Sequence, residues 1–334
     1  MSFEKIINEW KKKSYKPVYL LHGEEDFFID QIVEYAESKL ISESEASFNL
    51  TVFYGKDAEW TNVVNSCKRY PMFSEIQVVI IKEAQMMNSI EKLESYIESP
   101  LSSTIFVIAH KNKTFDKRTK IFKLIEKKGE IFLSLKITDD KVQDWILSTV
   151  KKHHLEISEK AVLLLQQNIG NNLSRIFGEI EKLKINLKEK HFIDEDVIEK
   201  YVGISKEYNI FELQEAITRR DLPSAIKIIN YFGSNPKAAP IQQALPALYA
   251  FFSKVYTAFG MNDKSENGLK SLFYFNYYAT KQGIAAMKNY GYAGTEKIIL
   301  LLQHYNLKSL GVGDSGSEDA MLMREMVVKM MIKD

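Results

Sequence analysis

Cysteine, proline and glycine are scarce in this chain. Its 334 residues include 1 cysteine, 7 prolines and 15 glycines. A single cysteine, Cys67, excludes an intramolecular disulfide and every zinc site built from several cysteines, and it is typical of a reducing compartment. Proline and glycine make up about 2% and 4% of the residues, below the usual ~5% and ~7%. This scarcity predicts long helices joined by short loops.

An excess of one charge sign and a long apolar segment are missing as well. Lys and Arg number 45 and Asp and Glu number 44, which gives a net charge of +1. The whole molecule therefore does not attract nucleic acid, and any phosphate contact depends on local patches. No apolar run approaches the ~18–20 residues of a membrane span, and Met1–Lys5 lacks the pattern of a signal peptide. We expect a soluble, cytoplasmic protein without membrane contact.

The first part of the chain, to about residue 135, alternates short apolar runs with segments of helical period. The runs are rich in Val, Ile, Phe and Tyr and are bounded by polar residues, glycine or proline, as strands are. They are Pro17–Leu21, Phe48–Tyr54, Ile76–Ile81, Thr104–Ala109 and Glu130–Leu135. This alternation predicts an α/β domain with a parallel sheet and helices on both faces.

Beyond Thr138 the strand-like runs stop and helical periods follow one another. Thr138 with two aspartates behind it is typical of a helix N-cap, and a unit of three helices fits the residues to about Tyr201. Asn209–Glu212 resembles a capping box that begins another all-helical region. We expect domain boundaries that give residues 1–137, 138–207 and 208–334.

The strongest enzymatic signal is the glycine that follows the first predicted strand, Gly23. A phosphate-binding loop of the form G-x-x-x-x-G-K-[ST] needs a second glycine, a lysine and a hydroxyl at fixed positions. Those positions hold Phe28, Ile29 and Asp30, and Glu24–Asp26 place three carboxylates where a polyphosphate would lie. Lys82 also stands where a partner strand would supply a metal-binding acid. The segment therefore predicts an acidic helix start in a nucleotide-binding fold that has lost its chemistry.

Patterns for other catalytic or metal-binding chemistry are not found in the sequence. The six histidines form neither H-E-x-x-H nor an i,i+4 pair, and G-x-S-x-G is absent. Cys67 lies in a helical stretch and is interpreted as a small core residue rather than a nucleophile. We therefore predict no catalytic residue, no metal ligand and no cofactor-binding residue.

The connection Arg69–Ser74 is unusual because it carries apolar residues where a polar loop is expected. It lies between a helix, Trp60–Lys68, and a strand, and Pro71 ends the helix. Met72 and Phe73 follow with little reason to be buried. Two interpretations remain open from these residues. The pair inserts into a partner's pocket, or the loop folds back onto the sheet edge.

The C-terminal region is mildly basic and rich in aromatic residues. Between residues 211 and 300 there are 10 Lys and Arg against 6 Asp and Glu. Aromatic residues beside cations can stack on bases, but these recur at helical spacing, which favours a core or a subunit interface. The residues are Phe251, Phe252, Tyr256, Phe259, Phe273, Tyr274, Tyr277 and Tyr278.

Taken in order along the chain, several segments resemble the delta subunit of bacterial DNA polymerase III. They are Val18–Glu25, Arg69–Ser74 ahead of Val78–Ile81, Phe115–Arg118, Val142–Ile146, Gly178–Leu183, Asn209–Leu213 and Glu215–Ile217. The stretch Tyr305–Val328 departs most from the commoner ending of the family. The resemblance implies an AAA+-like N-terminal domain with a degenerate nucleotide site, a small helical lid domain and a C-terminal helical collar that mediates oligomerisation.

The same resemblance assigns a role to the apolar loop. In the family, two adjacent apolar residues before the third strand enter a hydrophobic pocket of the sliding clamp. The matching residues here are Met72 and Phe73, supported by Pro71 and Tyr70, with Met in place of the commoner Leu.

The function implied by this resemblance is that of a clamp-loader subunit that binds and opens the sliding clamp, or beta subunit, during replication without hydrolysing nucleotide. Its partners would be the ATPase subunits, a delta-prime-like subunit and, through the assembled complex, primer–template DNA. The family is counted as part of a DNA-directed DNA polymerase, although no catalytic residue is found in this chain. Two alternatives stay open, an ATP-hydrolysing motor and a free-standing DNA-binding protein. The residues at positions 28–30 disfavour the first, and the net charge disfavours the second.

Overall fold

A computed structural model describes residues 3–187, 191–205, 207–313 and 316–332. The chain divides into two compact units, Met1–Ile137 and Thr138–Asp334. Among the described residues no helix is both long and apolar enough to cross a membrane.

The described part of the first unit contains a five-stranded sheet in which all neighbouring strands are parallel. The strand order is β2-β3-β4-β1-β5, so β3, β4 and β1 lie inside the sheet and β2 and β5 at its edges. The strands are β1 (Val18–Gly23), β2 (Leu50–Tyr54), β3 (Gln77–Lys82), β4 (Thr104–His110) and β5 (Glu130–Ser134). The α/β part of the predicted fold is therefore confirmed.

Helices cover both faces of this sheet, as predicted. Alternate residues of β1 enter two separate apolar cores, Val18 and Leu20 on one face and Tyr19 and Leu21 on the other. A strand buried on both faces reads as a continuous apolar run, which is why the sequence revealed it. The helices are α1 (Phe3–Lys11), α2 (Asp26–Lys39), α3 (Glu43–Asn49), α4 (Trp60–Cys67), α5 (Glu94–Ile97) and α6 (Lys120–Lys128), with 3₁₀ turns at Ala84–Met86 and Ile90–Leu93.

The start of the second strand differs from the prediction. Phe48 and Asn49 form the end of α3, and β2 begins at Leu50, which is paired with Val78 of β3. Ser42 at the N-cap and two glutamates in the first turn favour a short helix at this point of the chain. The apolar run that spans residues 48–54 therefore contains two different elements.

The second unit is mainly helical, and two features of it were wrongly predicted. The described residues before Gly203 form four helices rather than three, and a short parallel pair of strands joins them. The elements are α7 (Asp139–Lys152), β6 (Glu156–Ile157), α8 (Glu159–Ile169), α9 (Leu173–Leu187), β7 (Phe192–Ile193) and α10 (Glu195–Val202). The fourth helix has only eight residues, delimited by the Asp194 cap and by Gly203 in the left-handed region, so its period is too short to stand out.

The described residues from Asn209 onward form helices joined by turns and contain no strand, as predicted. Asn209 caps the first of these helices and accepts a hydrogen bond from the Glu212 amide (3.0 Å). The break expected near Tyr290–Gly294 is a kink at Gly291 inside one long helix, and part of the break expected at Gly311–Ser317 lies outside the described residues. The helices are α11 (Ile210–Arg219), α12 (Leu222–Ser234), α13 (Ile241–Phe259), α14 (Glu266–Leu269), α15 (Tyr277–Ser309) and α16 (Asp319–Met331).

Side-chain contacts cross the boundary that the sequence predicts at residues 207 and 208. Lys160 of α8 pairs with Glu212 of α11 at 2.8 Å, and the Asn276 amide donates to Gln143 Oε1 at 3.3 Å. The division of this unit into a lid (138–207) and a collar (208–334) stays a prediction.

Candidate functional site

The two segments singled out by the sequence lie at opposite ends of the sheet. Since the strands are parallel, all their amino ends lie at one end of the sheet and all their carboxyl ends at the opposite end. The connection of residues 68–76, here called the apolar loop, leads into β3 at the amino end. Gly23 terminates β1 at the carboxyl end.

The apolar loop exposes the pair that the sequence selected. Phe73 is 92% exposed and Met72 is 51% exposed, while Tyr70 is 75% exposed and Pro71 half-buried. The alternative in which these two side chains fold back onto the sheet edge therefore does not describe the structure. Contiguous exposed apolar side chains are one mark of an interaction site.

A buried asparagine fixes the backbone of this loop. Asn49, at the end of α3, is only 2% exposed. Its Nδ2 donates to the Met72 carbonyl oxygen at 2.8 Å, and its Oδ1 accepts from the Met72 amide at 2.7 Å. One side chain thus satisfies both backbone polar groups of Met72, as a neighbouring strand would. These two hydrogen bonds fix the Met72 backbone and do not involve the Met72 side chain.

The base of the loop is held by a second buried amide, that of Gln77. Its Nε2 donates to Thr104 Oγ1 at 2.8 Å and to the Arg69 carbonyl oxygen. The Thr104 hydroxyl in turn donates to the Cys67 carbonyl oxygen at 2.9 Å, and Arg69 Nη2 donates to Thr51 Oγ1 at 3.1 Å. The end of α4 and the start of the loop are therefore tied to β2, β3 and β4.

Phe73 has an uncommon backbone conformation. Its φ is +57°, in the left-handed region where a bulky side chain costs on the order of 1–3 kcal/mol. Such a conformation persists only where neighbouring contacts impose it, and the Asn49 bonds act on the preceding residue. The turn projects the Phe73 ring into solvent, and a strained, exposed, apolar residue of this kind is typical of a binding site.

At the carboxyl end, Gly23 adopts a backbone conformation that closes the turn against β5. Its φ is +137°, and an added Cβ would collide with the Ser134 carbonyl oxygen. That oxygen accepts from the Glu24 amide at 2.9 Å and from the Glu25 amide at 3.3 Å, while the Gly23 amide donates to Lys113 at 3.2 Å. A phosphate-binding loop needs such amides free to point at the ligand. Here they are bonded within the chain.

The first turn of α2 is unsuited to a phosphate as well. Glu25 is buried and accepts from the Phe27 amide at 3.3 Å, and burial raises the pKa of its carboxyl group. Ile29, where a lysine is required, lies fully buried in one of the two cores. Asp30, where a hydroxyl is required, is ion-paired with Lys111. Carboxylates and apolar contacts thus occupy the positions that a nucleotide would need.

Two buried histidines occupy the last rung between β1 and β4. The Phe115 amide donates to His22 Nδ1 at 3.0 Å, so that nitrogen carries no proton. Burial, then His110 and Lys117, lowers the pKa of His22 to about 4. Burial likewise lowers the pKa of His110, whose Nδ1 lies 3.2 Å from the Lys113 carbonyl oxygen. Both rings are neutral structural groups at pH 7.

The single cysteine is a core residue, as predicted. Cys67 is the last residue of α4 and is fully buried in an apolar core, and burial raises the pKa of its thiol. Among the described residues, no group of three or more His, Cys, Asp or Glu is placed to hold a metal ion.

Sequence reasoning missed the residues that support the loop. Asn49 and Gln77 were read as parts of strands, and Phe48, which is 58% exposed beside Asn49, was assigned to the core-forming run. The one available signal was a polar residue at the edge of an otherwise apolar run. Nothing local connects Asn49 with Met72, which is 23 residues away.

Comparisons with known proteins agree with this description. The family model described as "DNA polymerase III, delta subunit" matches residues 19–134. The chain is 26% identical to the DNA polymerase III subunit delta of Bacillus subtilis over 236 residues, covering 67% of this chain and 68% of that protein. It is 22% identical to a probable DNA polymerase III subunit delta of Aquifex aeolicus over 270 residues, covering 76% and 74%.

A solved structure matches along nearly the whole chain. The Bacillus subtilis DNA clamp loader delta protein YqeN superposes with a TM-score of 0.55 at 21% identity, covering 99% of both chains. The predicted α/β region with a parallel sheet, followed by mainly helical structure, is confirmed, and this likeness shows the same fold. The resemblance to the delta family that the sequence indicated is confirmed as well.

Proposed function

From this homology to the delta subunits of DNA polymerase III, we propose that the chain is the clamp-loader subunit that binds and opens the DNA sliding clamp. The observation that carries the proposal is the exposed pair Met72 and Phe73 on a loop held by Asn49. Tyr70 is exposed beside the pair, and Pro71 restricts the loop. The occupied site is a hydrophobic pocket on the clamp.

Burial of the apolar pair supplies a substantial part of the proposed binding free energy. Full burial of each side chain contributes ~1.5–3 kcal/mol, so the pair supplies ~3–6 kcal/mol. Because the backbone of Met72 is already fixed by two hydrogen bonds, little of this is lost in ordering the loop on binding. Pro71 lowers that cost further by removing one backbone degree of freedom.

The proposed subunit opens the clamp by binding energy alone. The amides around Gly23 are bonded to Ser134 and Lys113, and Ile29 replaces the phosphate-binding lysine. Binding therefore traps or strains the clamp interface, while the ATPase subunits determine when this chain reaches the clamp. This disfavours the alternative of an ATP-hydrolysing motor.

Residues 208–334 are proposed as the collar that assembles with the other loader subunits, the ATPases and a delta-prime-like subunit. This region exposes many large apolar side chains. It also contains a groove of about 420 Å³ that is lined by Tyr249, Ile299 and Leu302 among others. The exposed side chains are Tyr249, Phe275, Tyr277, Tyr278, Tyr292, Leu300, Leu307, Leu310, Val312 and Met321. Primer–template DNA is then met through the assembled complex, in the cytoplasm where replication takes place.

Two measurements with the intact protein test the proposal. Surface plasmon resonance on the immobilised sliding clamp of the same organism should show specific binding without nucleotide. The chain alone should also accelerate release of that clamp from nicked circular DNA in the absence of ATP. No binding to the clamp would refute the proposal. Tight binding to duplex DNA at moderate salt, without clamp binding, would favour the free-standing DNA-binding alternative instead.

The collar proposal has a separate test in the full chain. Tyr249→Ser with Leu300→Ser replaces two exposed apolar side chains and should impair incorporation into the reconstituted loader while clamp binding is retained. Unchanged incorporation would remove this surface from the assembly interface.

A further inference from the structure

Four lysines lie close together at the end of α1 and are exposed at the amino end of the sheet. They are Lys11, Lys12, Lys13 and Lys16, here called the lysine turn. From residue 10 to residue 23 the sequence contains no acidic residue. Within the described part of the chain, none of the four has a carboxylate within ion-pairing distance, in contrast to Lys5, which pairs with Glu9. The segment therefore carries four uncompensated positive charges.

The lysine turn has a fixed backbone. Lys13 adopts φ +56°, and the Ser14 amide donates to the Glu9 carbonyl oxygen at 3.0 Å, the pattern of a Schellman helix end. On one side, Trp10 is buried edge-on against Tyr19. On the other, the Lys16 amide donates to Tyr19 Oη at 2.8 Å. The charges are thus displayed from a turn anchored at both ends.

This turn is a neighbour of the apolar loop. It leads into β1 as the loop leads into β3, and one strand separates the two, which is about 10 Å at the usual strand spacing. Tyr15 and Ile76 pack against the same apolar core. Burial raises the pKa of Tyr15, and Tyr35 and the Glu75 carboxylate raise it further. Glu75 belongs to the apolar loop, so this loop lies near the lysine turn.

We propose that the lysine turn extends the apolar loop into one docking surface, and that the sliding clamp meets it with an acidic rim beside its hydrophobic pocket. The proposal rests on the proposed function and adds the charge of the partner's surface. The apolar pair slows dissociation of the complex, since its contacts are broken only when the complex separates. The lysines raise the association rate constant, because complementary charge attracts the partner over a distance.

The experiment compares two full-length variants with the same change in net charge, from +1 to −3. One replaces the lysine turn: Lys11→Gln, Lys12→Gln, Lys13→Gln and Lys16→Gln. The control replaces four exposed lysines in segments that follow strands, at the carboxyl end: Lys56→Gln, Lys113→Gln, Lys117→Gln and Lys136→Gln. Association and dissociation rates on immobilised clamp are measured at ~0.05 M and ~0.5 M salt, where the screening length falls several-fold.

The lysine-turn variant should associate ~10-fold more slowly than wild type at low salt, with a dissociation rate within ~2-fold, and the difference should vanish at high salt. The control should associate within ~2-fold of wild type. Equal slowing of both variants, or an unchanged association rate, would overturn the inference and leave the proposed function standing. Loss of DNA binding by the lysine-turn variant with unchanged clamp association would assign the turn to nucleic acid instead. If wild type does not bind the clamp, the proposed function fails and this inference fails with it.

Discussion

The two ends of the parallel sheet use their backbone and side chains in opposite ways. At the carboxyl end, the amides that follow Gly23 are bonded to Ser134, and an acidic helix start and a buried isoleucine take the place of phosphate-binding groups. At the amino end, buried amides hold a loop in a strained conformation and leave its apolar side chains in solvent. At the carboxyl end the backbone amides after Gly23 are bonded within the chain, whereas at the amino end the apolar pair is exposed to solvent.

Under the proposed function, the fold has lost nucleotide chemistry at one end of the sheet and binds the clamp at the other. Ligand sites of open α/β sheets usually lie at the carboxyl ends of the strands. Here the backbone amides of Gly23, Glu24 and Glu25 at that end donate hydrogen bonds within the chain. The exposed apolar pair lies at the amino end instead. Function has to be argued from the groups that are left unsatisfied, not from the fold.

The sharpest way to break the comparison is to remove the exposed pair. Met72→Ala with Phe73→Ala should weaken clamp binding by ~10²–10⁴-fold, since ~3–6 kcal/mol of burial is lost at 1.4 kcal/mol per factor of ten. Stability should change little because both side chains are exposed. Surface plasmon resonance and thermal unfolding of the variant measure the two effects.

The matched control lies at the other end of the sheet. Tyr54 is the last residue of β2, and Met86 lies in the 3₁₀ turn after β3. They are 54% and 55% exposed, so Tyr54→Ala with Met86→Ala should leave clamp affinity within threefold. A loss below threefold in a folded Met72 and Phe73 variant, or an equal loss in the control, would contradict the assignment of the loop.

The closed state of the carboxyl end predicts a pH dependence of stability. His22 has a folded-state pKa of about 4, whereas an unfolded histidine titrates near 6.5. Between these values the unfolded chain binds the proton more tightly, so the free energy of unfolding should fall as pH drops from ~6.5 to ~4, by about 3 kcal/mol at most. His22→Asn keeps an acceptor for the Phe115 amide and should flatten this slope.

Urea unfolding followed by circular dichroism between pH 7 and pH 4 measures the effect. His154→Asn is the matched control, because His154 is exposed and its left-handed backbone suits asparagine. It should retain the wild-type slope. A His22→Asn slope as steep as wild type would show that other groups control stability in this range.

The support of the loop can be tested without touching its apolar side chains. Asn49→Ala removes both hydrogen bonds to the Met72 backbone, so the loop must be ordered on binding, and clamp affinity should fall about 10-fold. Asn62→Ala, at an exposed position of α4, should leave affinity unchanged. If Asn49→Ala binds like wild type while remaining folded, the loop does not need this anchor.

The smallest expected effect concerns nucleotide. Isothermal titration with magnesium-ATP should give no binding in the millimolar range, and the melting temperature should move by less than about 1 °C at 10 mM ATP, where a 1 mM site would add about 1.4 kcal/mol. Magnesium alone serves as the reference titration. A sub-millimolar dissociation constant would show that the carboxyl end is open after all.

Much of the first unit could be predicted from the sequence because its strands are buried on both faces. Val78–Ile81 is a continuous apolar run for that reason, and its bounds were nearly right. The degenerate loop after β1 was equally visible, since Ile29 and Asp30 stand at fixed positions of a known motif. The place of Met72 and Phe73 after a proline, between a helix and a strand, left exposure and folding back onto the sheet edge both open, and only the structure shows that Phe73 is exposed.

The supports of the site could not be predicted in this way. The contact of Asn49 with Met72 joins residues far apart in the sequence, and it exists only because two amino ends of neighbouring strands meet. The left-handed conformation of Phe73 has no local signal, because the usual glycine or asparagine is absent. The two-residue strands β6 and β7 are too short to give a period.

The two hydrogen bonds from Asn49 to the loop backbone have a consequence for how this surface evolves. Because the asparagine binds only main-chain atoms of Met72, these two hydrogen bonds do not depend on which side chain stands at position 72. A substitution there should change the contact energy with the partner more than the folding energy, whereas a substitution at position 73 must also suit the left-handed backbone. The pair can follow the drift of the pocket one residue at a time, and a designer can exchange it to direct the same scaffold to another clamp.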